Sequence, residues 1–121
     1  MSLSEIKPML YTRHVRETVD FYTAILGFTC VNHTDDWDWA VLSQGDIEIM
    51  ITVPNAHIHF EKPIFTGSFY IITDDVDALW DKINDKVKVC YELETFDYGM
   101  REFAVYDNNG YLLQFGQAID N

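Results

Sequence analysis

The stretch Tyr98-Gly99-Met100-Arg101-Glu102-Phe103-Ala104-Val105-Tyr106-Asp107-Asn108-Asn109-Gly110-Tyr111-Leu112-Leu113-Gln114-Phe115 decides the fold. It reads as strand, tight turn, strand. Phe103 and Val105 alternate with Glu102 and Ala104, as a strand's residues do. Asp107-Asn108-Asn109-Gly110 supplies turn chemistry, and Asn109-Gly110 suits a turn because both residues tolerate positive φ. The same pattern occurs earlier. Trp39-Ala40-Val41-Leu42, then Ser43-Gln44-Gly45-Asp46, then Ile47-Glu48-Ile49-Met50-Ile51 is again strand, turn, strand. One motif is used twice.

Working outward, each hairpin is preceded by a strand, a helix and a further strand. Residues 6–14 read as a strand with Ile6, Met9, Leu10 and Val15 as apolar content. Glu17–Leu26 reads as a helix, with Val19, Tyr22, Ile25 and Leu26 on one face. Strands follow at about Phe28–His33, Trp37–Leu42 and Ile47–Val53. Pro54 to Phe65 holds two prolines and two histidines and reads as a linker. The order then repeats. Ser68–Thr73 is a strand. Asp74–Asn84 is a helix with Val76, Leu79, Trp80 and Ile83 in step, capped by Asp74 or Asp75. Strands follow near Val87–Tyr91, Arg101–Tyr106 and Tyr111–Gly116. Identity between the halves is low, so the repeat is one of pattern.

The chain has 121 residues, 48% of them hydrophobic and 15% aromatic, which suits one globular domain rather than two. We expect module 1 at about 5–53, a linker at 54–65 and module 2 at about 66–117. The net charge is −12, which argues against nucleic-acid binding and favours a cationic ligand through steering. No run is long enough to cross a membrane, and Met1-Ser2-Leu3-Ser4-Glu5 lacks the marks of a signal peptide. A soluble cytoplasmic protein is the expectation. Cys30 and Cys90 fall in strands, where buried free thiols are expected. Eight strands and two helices leave one face of each sheet uncovered by helix, and a concave apolar face is a natural ligand site.

Phe21-Tyr22-Thr23-Ala24-Ile25-Leu26-Gly27-Phe28 resembles the helix-to-strand signature of the vicinal-oxygen-chelate superfamily, which includes glyoxalase I, extradiol dioxygenases and the fosfomycin- and bleomycin-resistance proteins. Tyr98 to Gly110 is similar to the Trp-Gly-x-Arg-Glu-Phe strand and hairpin of the bleomycin-resistance group, and Asp75-Val76-Asp77-Ala78-Leu79-Trp80 resembles that group's second helix. The resemblance covers almost the whole chain. It implies an α+β fold in which two βαβββ modules form a curved mixed β-sheet cleft, the glyoxalase/bleomycin-resistance fold.

Family enzymes hold a divalent metal at four strand positions, which the resemblance places at Lys7 (or Pro8), Glu48, Ser68 and Gln114. Only Glu48 is a competent charged ligand, so no metal or other cofactor is expected. His57-x-His59 with Glu61 is a second grouping of metal-binding side chains, but it lies in the linker. In place of a metal, the resemblance implies a homodimer that binds a small molecule between subunits without chemistry. Aromatic residues hold planar rings there and acidic surface meets a cationic tail. The expected ligand-binding residues are Trp37, Trp39, Glu48, Met50, Tyr70, Tyr98, Arg101 and Gln114. Several have plainer readings. Trp39 opens an alternating strand and also fits the core, Arg101-Glu102 also fits a structural pair, and Asp35, Asp36 and Asp38 also fit a solvated turn. Tyr98 stands where the group has Trp, and Asn108 where its hairpin has proline. The alternative function is a metal-dependent glyoxalase-like lyase or dioxygenase with a non-standard ligand set. A third reading is a dimeric scaffold whose pocket has no dedicated ligand, which a closed, water-filled cavity with Glu48 tied up by Arg101 or Lys7 would favour.

Overall fold

A computed structural model describes residues 2–119. The protein is α+β and divides into two compact units, Met1–Pro63 and Ile64–Asn121. The division falls inside the stretch read as a linker. The first unit runs β1 (Met9–Tyr11), α1 (Val15–Ala24), β2 (Thr29–His33), β3 (Trp39–Gln44) and β4 (Ile47–Thr52), in the sheet order β1-β4-β3-β2. The second runs β5 (Phe69–Ile72), α2 (Val76–Ile83), β6 (Lys88–Thr95), β7 (Met100–Tyr106) and β8 (Leu112–Ala118), in the order β5-β8-β7-β6. In each, the first strand lies parallel to the last and the remaining pairs are antiparallel. The repeat of pattern is thus a repeat of topology.

Each helix covers one face of its sheet. Val15, Val19 and Tyr22 of α1 are buried with Leu42, Ile49 and Ile51 of the strands beneath. In the second unit Val76 and Ile83 of α2 are buried, as are Phe103, Val105, Leu113 and Phe115 of β7 and β8. The Trp80 ring lies 5.1 Å from Phe103, which stacks on Phe115 at 5.3 Å. Truncating Phe103 to alanine removes a wholly buried ring and costs about 3–5 kcal/mol. Asp75 caps α2 by accepting from the Ala78 N–H at 3.1 Å.

Several local readings need correction. β1 is shorter than residues 6–14 because Pro8 has no N–H to give the ladder, although its carbonyl accepts from Met50 N at 2.8 Å. Val15 belongs to α1, not to the strand. The chain turns at Thr12, whose hydroxyl accepts from His14 N at 3.0 Å, and Thr18 then bonds back to His14 O. In the second hairpin only Gly110 has positive φ, 87°. Asp107 Oδ1 accepts from the N–H groups of Asn109 and Tyr111 at 2.8 and 2.9 Å, which fixes Asn109 with negative φ. The cysteines are free but not buried. Cys30 is half-exposed and Cys90 exposed, because β2 and β6 are edge strands with register shifts beside both residues. Among the described residues no helix is long and apolar enough to cross a membrane.

Candidate functional site

Along β4, Ile49 and Ile51 turn toward α1, so Glu48, Met50 and Thr52 occupy the other face, and all three are half-buried. Glu48 Oε1 lies 2.8 Å from Lys7 Nζ. The hydrogen bond and charge of Glu48 raise the Lys7 pKa above its ordinary value. The pair is partly solvated, so it adds little stability. Its main effect is that the one competent carboxylate already faces an ammonium group. Met50 sits between Met9 and Val41 in the ladder.

The second unit holds a denser arrangement. On β7, Phe103 and Val105 face α2, so Arg101 shares their side and Glu102 takes the opposite one. Arg101 accordingly reaches the helix. Its guanidinium donates to Asp77 at 2.8–3.1 Å and to Thr95 Oγ1 at 3.0 Å. The reading of Arg101-Glu102 as a pair is therefore corrected. Neighbours in a strand point apart, and Asp77 takes the cation.

Glu102 is 1% exposed, and three phenols converge on it. Tyr70 and Tyr98 donate to Oε1 at 2.8 and 2.7 Å, and Tyr91 donates to Oε2. Gln114 Nε2 donates to the Tyr91 oxygen at 2.8 Å, and Ser68 donates to Gln114 Oε1 at 2.5 Å. Register explains the convergence. Tyr70 is opposite Gln114, Gln114 is opposite Ala104, and Ala104 is opposite Tyr91. Gly116 is the register partner of Glu102. A Cβ there would stand 2.5 Å from the Tyr70 hydroxyl, so glycine lets that phenol cross β8. Phe96 extends the cluster, stacked on Tyr98 at 5.5 Å and edge-on to Tyr91 at 5.8 Å.

The electrostatics follow. Burial pushes the Glu102 carboxyl up, but hydrogen bonds from Tyr91, Tyr98 and Tyr70 outweigh it and hold the pKa below the usual glutamate value. The phenols move the other way. Burial and then Glu102 push Tyr91 up to about 12. Its bond to Glu102, then burial, push Tyr98 to about 12. Burial and Glu102 raise Tyr70 well above the ordinary phenol value. At neutral pH the site is one carboxylate ringed by protonated phenols. No lysine, arginine or histidine among the described residues forms an ion pair with Glu102.

The structure thus gathers Tyr70, Tyr98 and Gln114 of the expected site into one cluster, with Glu48 and Met50 on the first unit's sheet. Trp37 is already engaged. Its ring stacks on His33 at 3.7 Å and carries the Arg16 guanidinium at 4.5 Å. Its φ of 59° belongs to a tight turn pinned by Thr34 and Asp36. Trp39 is half-buried in β3 opposite Thr52. Sequence reasoning missed Glu102 and Tyr91. The signal was present, since a carboxylate at a position out of phase with Phe103 and Val105 cannot share a face with Arg101.

The four positions that family enzymes use for a metal do not fit a divalent cation. Lys7 brings a positive charge onto Glu48, and the neutral Ser68 and Gln114 bond to each other. His59 and Glu61 are 3.4 Å apart on an exposed loop, and no group of three or more His, Cys, Asp or Glu side chains among the described residues gathers as a metal needs.

The profile of the Glyoxalase/Bleomycin resistance protein/Dioxygenase superfamily matches residues 6–115, and the chain belongs to that superfamily. Solved structures agree in fold. The chain is similar to a protein of unknown function from Agrobacterium tumefaciens str. C58, with TM-score 0.81 and 20% identity over 98% of this chain and 97% of that one. It is similar to a glyoxalase/bleomycin resistance protein/dioxygenase from Nocardioides, with TM-score 0.76 and 12% identity over 99% and 88%. It is also similar to a lactoylglutathione lyase from Agrobacterium tumefaciens, with TM-score 0.70 and 13% identity over 94% and 92%. No curated protein matches the chain by sequence.

Proposed function

We propose that this protein is a non-catalytic small-molecule-binding member of the superfamily, of the bleomycin-resistance type, which sequesters a planar or cationic ligand. The observation that carries the reading is the state of the four metal positions. They are consumed as two internal couples, Lys7 with Glu48 and Ser68 with Gln114. Lys7 sets a positive charge against the one carboxylate and the Ser68–Gln114 couple brings none, so the set suits a divalent metal poorly, whereas the face that carries Glu102 offers aromatic area and negative charge. Tyr98 and Tyr70 are 65% and 43% exposed, and large aromatics with few torsions bind flat ligands at low entropic cost. The net charge of −12 draws cations toward the protein. The reading includes a homodimer with the ligand held between subunits, acting in the cytoplasm, with antibiotic sequestration as its role.

The test is a calorimetric titration with metal-free bleomycin, in buffer with a chelator. The expected result is saturable binding of about one ligand per chain, weakened by salt and by Tyr98→Ala. Binding that appears only after a divalent metal is added, and that disappears with Glu48→Ala, would support the metal-dependent alternative instead.

A further inference from the structure

The proton inventory around Glu102 narrows the ligand class, and the narrowing rests on the binding function proposed above. Each phenol has one proton, and Tyr70, Tyr91 and Tyr98 each give theirs to Glu102. The Tyr91 oxygen then accepts from Gln114. The oxygens of Tyr70 and Tyr98 receive no hydrogen bond from the described residues, so each keeps acceptor capacity. Glu102 has a further lone pair. The one spare donor in the cluster is the second amide N–H of Gln114, whose carbonyl is occupied by Ser68. The surface above Glu102 therefore accepts hydrogen bonds and hardly donates them.

Charge points the same way. The adjacent guanidinium, Arg101, faces the other side of the sheet and is held by Asp77. The register partner of Glu102 on β6 is Glu94, a second carboxylate. The three phenols keep Glu102 ionised but do not neutralise it, so its negative charge remains for a bound cation to meet. Tyr98 and Tyr70 are the exposed members, so they form the contact layer and carry the charge of Glu102 outward through their hydroxyls.

We infer that the Glu102–tyrosine cluster is a recognition site for an organic cation that donates hydrogen bonds, such as an amidinium, guanidinium or primary ammonium on a flat ring, with Tyr70 and Tyr98 accepting from it. Anions are rejected because the cluster has almost no donor to offer them, and neutral isosteres bind more weakly because they bring no charge to Glu102.

The test is a calorimetric series at pH 7 with four flat probes: benzamidinium, benzamide, benzoate and phenyltrimethylammonium. Benzamidinium is expected to bind at about one per chain, at least tenfold tighter than benzamide. Phenyltrimethylammonium, a cation without N–H groups, is expected to bind at least threefold more weakly than benzamidinium. Benzoate should give no saturable heat. Glu102→Gln should weaken benzamidinium at least tenfold. If that variant fails to fold, Tyr98→Phe removes one of the three hydroxyls on Glu102 from a residue that is 65% exposed, and it should weaken binding at least threefold with an unchanged circular dichroism spectrum. Benzoate or benzamide binding as tightly as benzamidinium would overturn the inference, as would unaltered affinity in the variants. If benzamidinium fails while bleomycin binds, this inference falls and the binding function stands. If both fail, both fall.

Discussion

Replacing Glu102 by leucine removes the acceptor of three phenols at once, and the structure sets the size of the effect. Tyr91 is the most buried of the three and loses a charge-assisted bond, worth about 1.5–3 kcal/mol. Tyr70 is 43% exposed and regains part of its loss by turning to water. Tyr98, at 65%, rehydrates and contributes little. Against this, leucine needs no desolvation of a charge. The net expectation for Glu102→Leu is a loss of about 2–4 kcal/mol. For a chain of this length that lowers Tm by roughly 10 °C. Adding Tyr70→Phe, Tyr91→Phe and Tyr98→Phe removes the stranded hydroxyls together, and stability should return to within about 1–2 kcal/mol of the parent, since an apolar replacement of a whole buried polar cluster is close to neutral. Urea titration followed by circular dichroism measures both. A Glu102→Leu protein as stable as the parent would refute the reasoning, because the phenols could not then depend on a buried carboxylate. A fourfold variant no better than Glu102→Leu would show that the loss came from packing.

Further outcomes follow from the same geometry. The lowered Glu102 pKa means that the unfolded chain binds more protons in acid, so its contribution is present above about pH 4.5 and is lost as pH falls through the folded value. The raised phenol pKa values act in the opposite sense. Their contribution is present below pH 10 and is lost as pH rises through about 12, and ultraviolet titration should show the cluster tyrosines ionising in that late range. Gly116→Ala should displace the Tyr70 ring and lower stability by about 1–2 kcal/mol, and adding Tyr70→Ala should leave that substitution nearly neutral in urea titration. Asp75→Ala removes the cap of α2 and should cost about 1 kcal/mol by the same assay.

The fold was legible because it rests on periodicity. Phe103, Val105 and Phe115 alternate as a half-covered strand must, and Val76, Leu79, Trp80 and Ile83 recur at helical spacing. Such signals marked an element at each strand and helix of the described residues, although β1 is shorter than expected and Val15 belongs to α1, and the sheet order repeats in both units. The site was only half legible. Tyr70, Tyr98 and Gln114 could be named from the resemblance, and Glu48 from its carboxylate in an apolar run. Glu102 was hidden by its neighbour, since Arg101-Glu102 looks like a self-sufficient pair until the parity of the strand is applied. Tyr91 was hidden by the irregularities in β6, which shift its register against β7 and cannot be read from alternation alone. Asp77 was read as part of a helix start, and its pairing with Arg101 across 24 residues has no local signature.

The central claim is that the face of the second unit centred on Glu102 is where this protein meets its ligand. The most direct measurement is nuclear magnetic resonance of protein carrying carbon-13-labelled tyrosine rings, titrated with metal-free bleomycin. The account predicts that the ring signals of Tyr70, Tyr91 and Tyr98 move together along one saturable curve, while Tyr22, a wholly buried residue of α1 in the first unit, stays in place. Saturable binding that leaves all three cluster signals unmoved would contradict it.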